Sequence, residues 1–388
     1  MSNKVEFKPT EIGFIPNDWN TTELKHVLTI GHGKPQFAIE DENGKYPILA
    51  TGGILGYTNH YLYNKPSVLI GRKGTIDKPQ YMDTPFWTVD TLFYTHINEK
   101  FNPKFIYYKF HLIDWKRHSE ASGVPSLSSN IINEQIISHP QLAEQQKIAQ
   151  ALTNADNYIS ALEKLIEKKK MIKEGLLSEL FKKESEWNAY AIEDLVLPNN
   201  GLVRGPFGGA LKKEDFVNEG YKVYEQKNAI YKNSELGTYY INKNKYRKLI
   251  RFAVRSDDLI LSCSGTIGKI YRIPSNFEKG VINQALLIIR INQTIIDLDY
   301  FEHYFNRQDF QTSIIDDTQG GAMKNLVGMP IFKKKIIYCP DMNKQKEISK
   351  ILNNLDLDID SIDKKLDKAK KLKQGMMQKL LTGEIRLA

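Results

Sequence analysis

The chain has 388 residues, of which 41% are hydrophobic, and it carries a formal net charge of +8. This length predicts two to three domains with ordinary hydrophobic cores. The basic excess favours an acidic partner, most commonly nucleic acid, over the alternative of a merely basic soluble protein. Two cysteines argue against a disulfide framework and a zinc site. The first residues lack an apolar signal region and no apolar run could span a membrane, so we expect a cytoplasmic protein.

Residues 1–142 are predicted to form a first head, an α+β domain. Segments such as SVLIG and TLFYTHI are rich in β-branched and aromatic residues and are punctuated by Gly, Pro, Asn and Asp. A short helix is predicted at 104–116. The strand Ile136–His139 then stops at Pro140, and a long helix is predicted over 143–183.

Residues 184–341 are predicted to form a second head of the same α+β class. KVYEQ, DLILS and ALLIIRI predict its strands, and 298–310 predicts a short helix. A second long helix is predicted within 342–388.

The two halves of the chain repeat each other. Residues 152–181 align with 352–381 without a gap, and ten positions are identical, from Leu152 and Leu352 to Leu180 and Leu380. Upstream, GTI recurs at 74–76 and 265–267, although the spacing between the copies changes. A repeat of this size indicates a duplicated structural unit. The conserved helix length and the divergent heads suit a fixed scaffold that carries two different reading domains.

The apolar positions of both long helices follow steps of four and three, which predicts a coiled-coil seam. Lys173 and Lys373 lie on it, where they either fix the register or extend their charged ends past its edge. Gly175 and Gly375 interrupt the helices and indicate close packing, a docking contact, or fraying. The predicted seam residues are Ile159, Leu162, Ile166, Lys173, Leu176, Leu180, Ile359, Ile362, Leu366, Lys373, Met376 and Leu380.

Two seams on one chain predict an antiparallel pair of helices with pseudo-twofold symmetry. Thirty helical residues span roughly 45 Å, which is comparable to one turn of B-DNA, roughly 35 Å. The helices would then space two heads over two half-sites. The alternative is that the seams only recruit other proteins.

The motifs of an enzyme are missing from the sequence. There is no Asn/Asp-Pro-Pro-aromatic motif for adenine methylation, and GTIGKI at 265–270 has the wrong spacing for a phosphate-binding loop. A nuclease motif would have Pro-Asp followed by Glu-x-Lys. Pro340-Asp341 is followed by Glu347-Ile348-Ser349-Lys350, which is one residue too long and suits helix capping and surface charge. The eight histidines are scattered without metal-ligand spacing. We therefore expect a chain that is not an enzyme and binds no cofactor or metal.

Phosphate and base contacts favour Lys, Arg, Asn and Gln in glycine-rich turns, where the backbone can approach DNA closely. For each candidate, a solvated surface charge is the alternative. The candidates are Lys34, Gln36, Arg72 and Lys73 in the first head, and Arg204, Lys212, Lys213, Ser264, Thr266 and Lys269 in the second.

Three segments resemble the DNA specificity subunit of type I restriction-modification systems. They are GFIPNDW at 13–19, RGPFGGALKKEDFVNEGYKV at 204–223, and KKLKQGMMQKLLTGEIRL at 370–387, whose degenerate partner is KMIKEGLLSELF at 170–181. The resemblance covers essentially the whole chain. It implies two target-recognition domains that read a bipartite, asymmetric sequence in double-stranded DNA.

The resemblance further implies helices that dock two modification (methyltransferase) subunits. S-adenosylmethionine, ATP and magnesium would bind partner subunits, among them a restriction subunit with motor and nuclease activity. Two other classes of function remain open from the residues: a coiled-coil interaction scaffold without sequence-specific DNA recognition, and a stand-alone enzyme, which the missing motifs disfavour. The recognised bases, the spacer length and self-association are not predicted.

Overall fold

The computed structural model describes residues 6–120, 123–207, 209–316 and 325–387. The chain forms two compact units, one of residues 1–165 with 362–388 and one of residues 166–361. Each unit combines β-sheets with helices, which confirms the predicted α+β class with two domains and long helices. No helix among the described residues is long and apolar enough to cross a membrane.

The first unit is built on a four-stranded antiparallel sheet in the order β4-β10-β7-β8, beside a three-stranded sheet in the order β6-β5-β9. Two strand pairs, β1-β2 and β3-β11, complete it. The strands are β1 (Phe7–Thr10), β2 (Gly13–Pro16), β3 (Asn20–Glu23), β4 (Leu28–His32), β5 (Tyr46–Ala50), β6 (Gly53–Thr58), β7 (Ser67–Gly71), β8 (Gln80–Met82), β9 (Trp87–Thr88), β10 (Leu92–Ile97) and β11 (Ile136–His139).

The short helices of this unit are α1 (Leu24–Val27), α2 (Pro103–Phe110) and α3 (Ser129–Asn133), with a 3₁₀ turn at Trp115–His118. The predicted helix at 104–116 was too long. The Asn102 side chain caps the start of α2, and Asp114 caps the separate 3₁₀ turn. The pattern of apolar residues predicted one helix, whereas the two local caps start two separate elements.

The second unit repeats this plan with a four-stranded antiparallel sheet in the order β13-β20-β17-β18 and a mixed sheet in the order β14-β16-β15-β19. Two strand pairs, β12-β23 and β21-β22, complete it. The strands are β12 (Asn188–Ala191), β13 (Leu202–Arg204), β14 (Phe216–Val217), β15 (Tyr221–Tyr224), β16 (Tyr240–Ile241), β17 (Leu259–Ser262), β18 (Ile270–Arg272), β19 (Gly280–Ile282), β20 (Leu286–Ile289), β21 (Ile315–Asp316), β22 (Asn325–Leu326) and β23 (Ile336–Cys339).

The predicted helix at 298–310 is divided into two helices with Asn306 and Arg307 between them. An Asp297 side chain caps the first of these, in the role that Asn102 has in the first unit. The short helices are α5 (Ile192–Leu195), α6 (Gln226–Ile230), α7 (Lys243–Lys248), α8 (Leu298–Phe305), α9 (Gln308–Ser313) and α10 (Met329–Lys333), with 3₁₀ turns at Lys213–Asp215 and Ile250–Phe252.

Two long helices, α4 (Leu142–Leu180) and α11 (Met342–Leu381), have 39 and 40 residues. Each contributes one part to each unit. In the first unit Asp156 pairs with Lys373 at 2.5 Å and Glu163 with Lys370 at 2.7 Å. Because the residue numbers rise on one helix as they fall on the other, these segments run antiparallel.

The segments within the second unit pair in the same sense. Lys173 contacts Asp356 at 2.5 Å and Lys169 contacts Asp358 at 3.1 Å. Lys173 and Lys373 therefore each bind a carboxylate on the facing helix. The two lysines thus pair with specific residues across the helix pair, and they do not simply extend toward water.

One glutamine at the start of each long helix joins that helix to its head. The Gln145 side chain accepts from the Asn102 amide at 2.9 Å and donates to the Pro140 carbonyl at 3.0 Å. Gln345 accepts from the Asp297 amide at 2.8 Å and donates to the Pro340 carbonyl at 2.9 Å. The repeated Pro-x₄-Gln spacing thus encodes the same buried contact twice.

The C-terminal end of α11 is held within the first unit. The Lys109 side-chain nitrogen is buried and donates to the Leu381 carbonyl at 2.8 Å and to the Ser138 hydroxyl at 2.9 Å. Beyond the helix, the Arg386 guanidinium donates to both oxygens of Asp18 and of Glu144, with all four distances at 2.7 Å. The last turn and the following residues are thereby attached to the first head.

Candidate nucleic-acid interface

In the first head, the candidate cations lie where two strands end at the same edge of a sheet. Strands β4 and β7 are both antiparallel to β10, so they run in the same direction and end together. Lys34 follows β4, and Arg72 and Lys73 follow β7. We call this edge, residues 33–37 and 71–76, the first rim.

The backbone of the first rim is tightly held. A Cβ atom on Gly33 would lie 1.9 Å from the Val89 carbonyl oxygen, so this close approach requires glycine. The Lys34 amide donates to the Thr88 carbonyl at 2.9 Å, and the Arg72 amide donates to the Thr91 carbonyl at 2.8 Å. These bonds fix the positions from which the lysine and arginine side chains project.

The side chains of this rim are available to a ligand. Lys34, Arg72 and Lys73 are exposed, and none forms an ion pair with a carboxylate in residues 6–120 or the later described ranges. Gln36 is half-buried, and its backbone carbonyl accepts from the Ile39 amide. The Arg72 guanidinium donates to the Asp90 carbonyl at 3.4 Å. The four predicted residues of the first head therefore lie along one edge, with three exposed cations that lack a carboxylate partner.

The second head has an equivalent edge. Strands β13 and β17 are both antiparallel to β20, so they also end together. A Cβ atom on Gly205 would lie 1.9 Å from the Asn283 carbonyl oxygen, as at Gly33. Gly265 in the turn after β17 has φ +66°, a conformation that favours glycine. We call residues 204–207 and 263–269 the second rim.

The second rim presents different chemistry. The Arg204 guanidinium lies 5.5 Å from the centre of the exposed Phe207 ring, and its Nη1 is buried with no hydrogen-bond partner among the described residues. Thr266 and Lys269 are exposed, whereas Ser264 is half-buried. This edge therefore combines an arginine and a lysine with hydroxyl groups, which suits polar contacts to base edges.

A residue that the sequence did not single out organises this rim. The Gln226 side chain, at the start of α6, donates to the carbonyls of Ser264 and Thr266. The turn that holds both candidates is thus fixed by a residue about forty positions earlier in the chain. Only the pairing of distant strands brings these residues together, so no local motif could have identified Gln226.

Two predicted contacts of the second head lie outside the rim. Lys212 and Lys213 precede or begin the 3₁₀ turn that leads into β14, which belongs to the other sheet. The Lys212 ammonium is 3.4 Å from Glu214, and its amide donates to Asp215 at 2.8 Å. Neighbouring carboxylates weaken the attraction of this segment for phosphate.

The thiols do not offer a nucleophile. Cys263 and Cys339 are both buried, and burial raises the pKa of each thiol to about 12. At neutral pH both remain protonated. Within the described ranges, no group of three or more His, Cys, Asp or Glu residues could hold a metal ion.

The predicted seam residues line the inner side of the long helices to different depths. Leu162, Ile166, Ile359, Ile362, Leu366 and Leu380 are buried, and Ile159, Lys173, Leu176, Leu180, Lys373 and Met376 are half-buried.

The helix glycines have no packing role in the structure described. A Cβ atom added at Gly175 or Gly375 would meet nothing within 4 Å, and both helices continue past the glycine. Neither close packing nor fraying explains them. Nearby, Met171 is 69% exposed and Leu372 is 63% exposed. The third interpretation of these glycines, a docking contact, stays a prediction.

Solved structures with the same fold include the crystal structure of a type I restriction-modification S subunit from M. genitalium. It matches with a TM-score of 0.65 at 15% identity and covers 98% of this chain and 97% of that chain. A structure concerning assembly and conformational transition of the type I R-M system matches with a TM-score of 0.58 at 10% identity, covering 96% and 99%.

The sequence matches point to the same group. The type I restriction enzyme MjaVIII specificity subunit of Methanocaldococcus jannaschii is 24% identical, over 96% of this chain and 94% of its own. The family model described as the type I restriction modification DNA specificity domain matches twice, over residues 16–174 and 184–371. The two matches together span most of the chain and contain both rims, so this protein belongs to the type I restriction-modification DNA specificity family.

Proposed function

We propose that this chain is the DNA-recognising specificity subunit of a type I restriction-modification complex, and that each head reads one part of a bipartite site. The observation that carries the proposal is the repeated rim. Both heads use a glycine in van der Waals contact with a facing carbonyl and a glycine turn after a buried strand. They place different side chains on that common frame, as two different half-sites require.

The charges of the rims support contact with a duplex. Exposed cations that lack carboxylate partners can bind phosphates and release counterions, while Gln, Ser and Thr can contact base edges. Lys34, Arg72 and Lys73 give the first head a more basic rim, and Arg204 and Lys269 supply the cations of the second. We expect affinity to fall steeply with added salt.

We further propose that the chain performs no chemistry itself and works in the cytoplasm. The absence of methylation and phosphate-loop motifs from the sequence and the buried, protonated thiols support this reading. S-adenosylmethionine, ATP and magnesium would then bind the modification and restriction subunits. Methylation by the purified chain with S-adenosylmethionine would contradict this assignment.

The outer faces of the long helices suit the docking of two modification subunits. Tyr158 and Met171 on α4 and Leu357 and Leu372 on α11 are each more than half exposed. Large apolar side chains on a helix surface commonly mark a protein interface when they cluster. Each unit holds one such residue from each helix, Tyr158 and Leu372 in the first and Met171 and Leu357 in the second, so each unit would serve one copy of the partner.

Selection of binding sites from a random duplex pool tests the proposal. The full-length chain, alone and with its modification subunits, should enrich two short half-sites separated by unselected bases. Exchange of residues 1–142 for another head should change one half-site only. Enrichment of no sequence, or a change in both half-sites after the exchange, would contradict independent reading by the two heads.

A further inference from the structure

The β5–β6 hairpin of the first head carries two exposed aliphatic side chains beside its turn. The strands pair antiparallel around a two-residue turn, Thr51-Gly52. Ile54 is 61% exposed and Leu55 is 53% exposed, whereas Ile48 and Leu49 on the facing strand are buried. The base of the hairpin is therefore anchored in the head while its tip meets solvent.

A β-bulge explains why two consecutive residues are both exposed. Leu49 lies opposite Ile54 and Ile48 lies opposite Gly56, so Leu55 has no residue opposite it. In a regular strand, successive side chains point to opposite faces. The bulge interrupts this alternation and redirects a side chain, a device that is common beside functional sites.

The tip of this hairpin adjoins the first rim. The Thr51 hydroxyl oxygen lies 3.7 Å from the position that a Cβ atom on Gly74 would occupy. The Gln80 side chain donates to the Ala50 carbonyl at 2.9 Å and holds the hairpin against β8. The apolar tip is thus placed next to the turn that presents Arg72 and Lys73.

A third exposed apolar group lies in a loop that continues alongside β6. Phe37 is 85% exposed in the loop that follows β4. This loop runs along β6, since Glu40 forms a bridge with Thr58 and the Asp41 amide donates to the Tyr57 carbonyl at 2.9 Å. Exposed apolar groups therefore lie on the hairpin and in the loop after β4, the same two segments that adjoin or carry the cations of the first rim.

Duplex DNA fits this combination. Its major groove admits a two-stranded β-ribbon, and aliphatic side chains there recognise the 5-methyl group of thymine. The cations of the first rim would contact nearby phosphates. We propose that Ile54 and Leu55 read thymine methyl groups in the major groove of the half-site bound by the first head, a proposal that rests on the function proposed above.

The second head differs at the corresponding place. Its strand β15, which pairs with β19 as β5 pairs with β9, leads into α6, where Gln226 lies beside the Gly265 turn. Gln226 lies beside the Gly265 turn as Thr51 lies beside the Gly74 turn, and α6 follows β15 where β6 follows β5 in the first head. Methyl recognition by this hairpin is therefore confined to the half-site of the first head.

Deoxyuridine provides the test, because it pairs as thymidine does and lacks only the methyl group. The duplex selected from a random pool is resynthesised with deoxyuridine in one half-site at a time, and the half-sites are assigned by exchange of residues 1–142. Loss of each contacted methyl should weaken binding of the full-length chain about fourfold. The effect of the same replacement in the other half-site should be unchanged when Ile54 and Leu55 are both replaced by serine.

Variants separate the hairpin from general effects of the base. The double variant Ile54→Ser, Leu55→Ser should bind the thymidine and deoxyuridine duplexes equally and should melt like the parent, because both side chains are exposed. Ile12→Ser, which removes a 42% exposed aliphatic group from the β1–β2 turn, serves as the matched control and should retain the discrimination.

The outcomes distinguish the two proposals. Sequence-selective binding that is equal on thymidine and deoxyuridine duplexes would overturn the role of the hairpin and leave the proposed function intact. Discrimination that persists in the double variant would also overturn it. A chain that selects no sequence under any condition would overturn both.

Discussion

Arg386→Ala should destabilise the first unit through a buried carboxylate. The guanidinium donates four hydrogen bonds of 2.7 Å, two to each of Asp18 and Glu144. The Asp18 side chain is 64% exposed and recovers water when the arginine is lost, whereas that of Glu144 is only 10% exposed. An unpaired charge left in a largely buried site costs a few kcal/mol, so we expect a loss of about 3 kcal/mol.

Thermal unfolding and hydrogen exchange measure this loss. For a unit of nearly two hundred residues, each kcal/mol shifts Tm by about 2–4 °C, so the transition of the first unit should fall by roughly 6–12 °C. Amide exchange should rise in the peptides that contain Asp18 and Leu387. The arginine also lowers the pKa of Asp18 in the folded state through hydrogen bonding. The resulting stabilisation is present above the pKa that Asp18 has in the unfolded chain, and it is lost as pH falls through the lowered pKa of the folded state.

Two further variants control the interpretation. Arg386→Lys keeps the charge but cannot form the double fork, so it should lose an intermediate amount. The double variant Arg386→Ala, Glu144→Gln removes the buried charge and should recover part of the loss. A Tm within 1 °C of the parent for Arg386→Ala would refute the reasoning, as would a double variant less stable than Arg386→Ala.

Three other predictions concern the helices. Burial lowers the pKa of Lys109 to about 7, so folding favours its neutral form. Between pH 7 and 9 the free energy of unfolding of the parent, measured with urea, should therefore rise by about 2–3 kcal/mol relative to that of Lys109→Met. The same pH dependence in both proteins would contradict this. Gln345→Ala leaves the Asp297 amide and the Pro340 carbonyl unpaired, so the free energy of unfolding should fall by about 2–4 kcal/mol. The control Gln374→Ala changes an exposed residue and should leave it almost unchanged. Insertion of four residues into α4, about one turn or 6 Å, should change the length of the spacer between the selected half-sites or abolish binding. An unchanged spacer at full affinity would show that the helices do not set its length.

The parts of the fold that depend on local periodicity could be predicted from the sequence. The steps of four and three in the long helices reflect one buried face, and the repeated strand, proline and glutamine mark where each helix starts. The short helices were less predictable. Side chains such as Asn102 and Asp114 cap separate elements, and an apolar pattern does not register the break between them.

The rims depend on contacts between residues that are far apart in sequence. Glycine and cation content pointed to Lys34, Arg72 and Arg204, yet the pairing of β4 and β7 with β10 is what places the first two at one edge. Gln226 and the Ile54–Leu55 tip gave no local signal, because a lone glutamine and a short aliphatic pair are common in any chain. Lys212 and Lys213 matched the pattern equally well, yet they lie at a 3₁₀ turn that leads into a strand of the other sheet.

The first unit is built from two separate stretches of the chain, and this constrains the order in which the two units can fold during synthesis. Residues 166–361 are contiguous, so the second unit is synthesised whole, while the first must wait for 362–388. Premature termination that removes the last helical turns and Arg386 would therefore leave the N-terminal domain without part of its core, although every codon of that domain had been translated correctly. The core of the first unit can therefore close only after residues 362–388 have been synthesised.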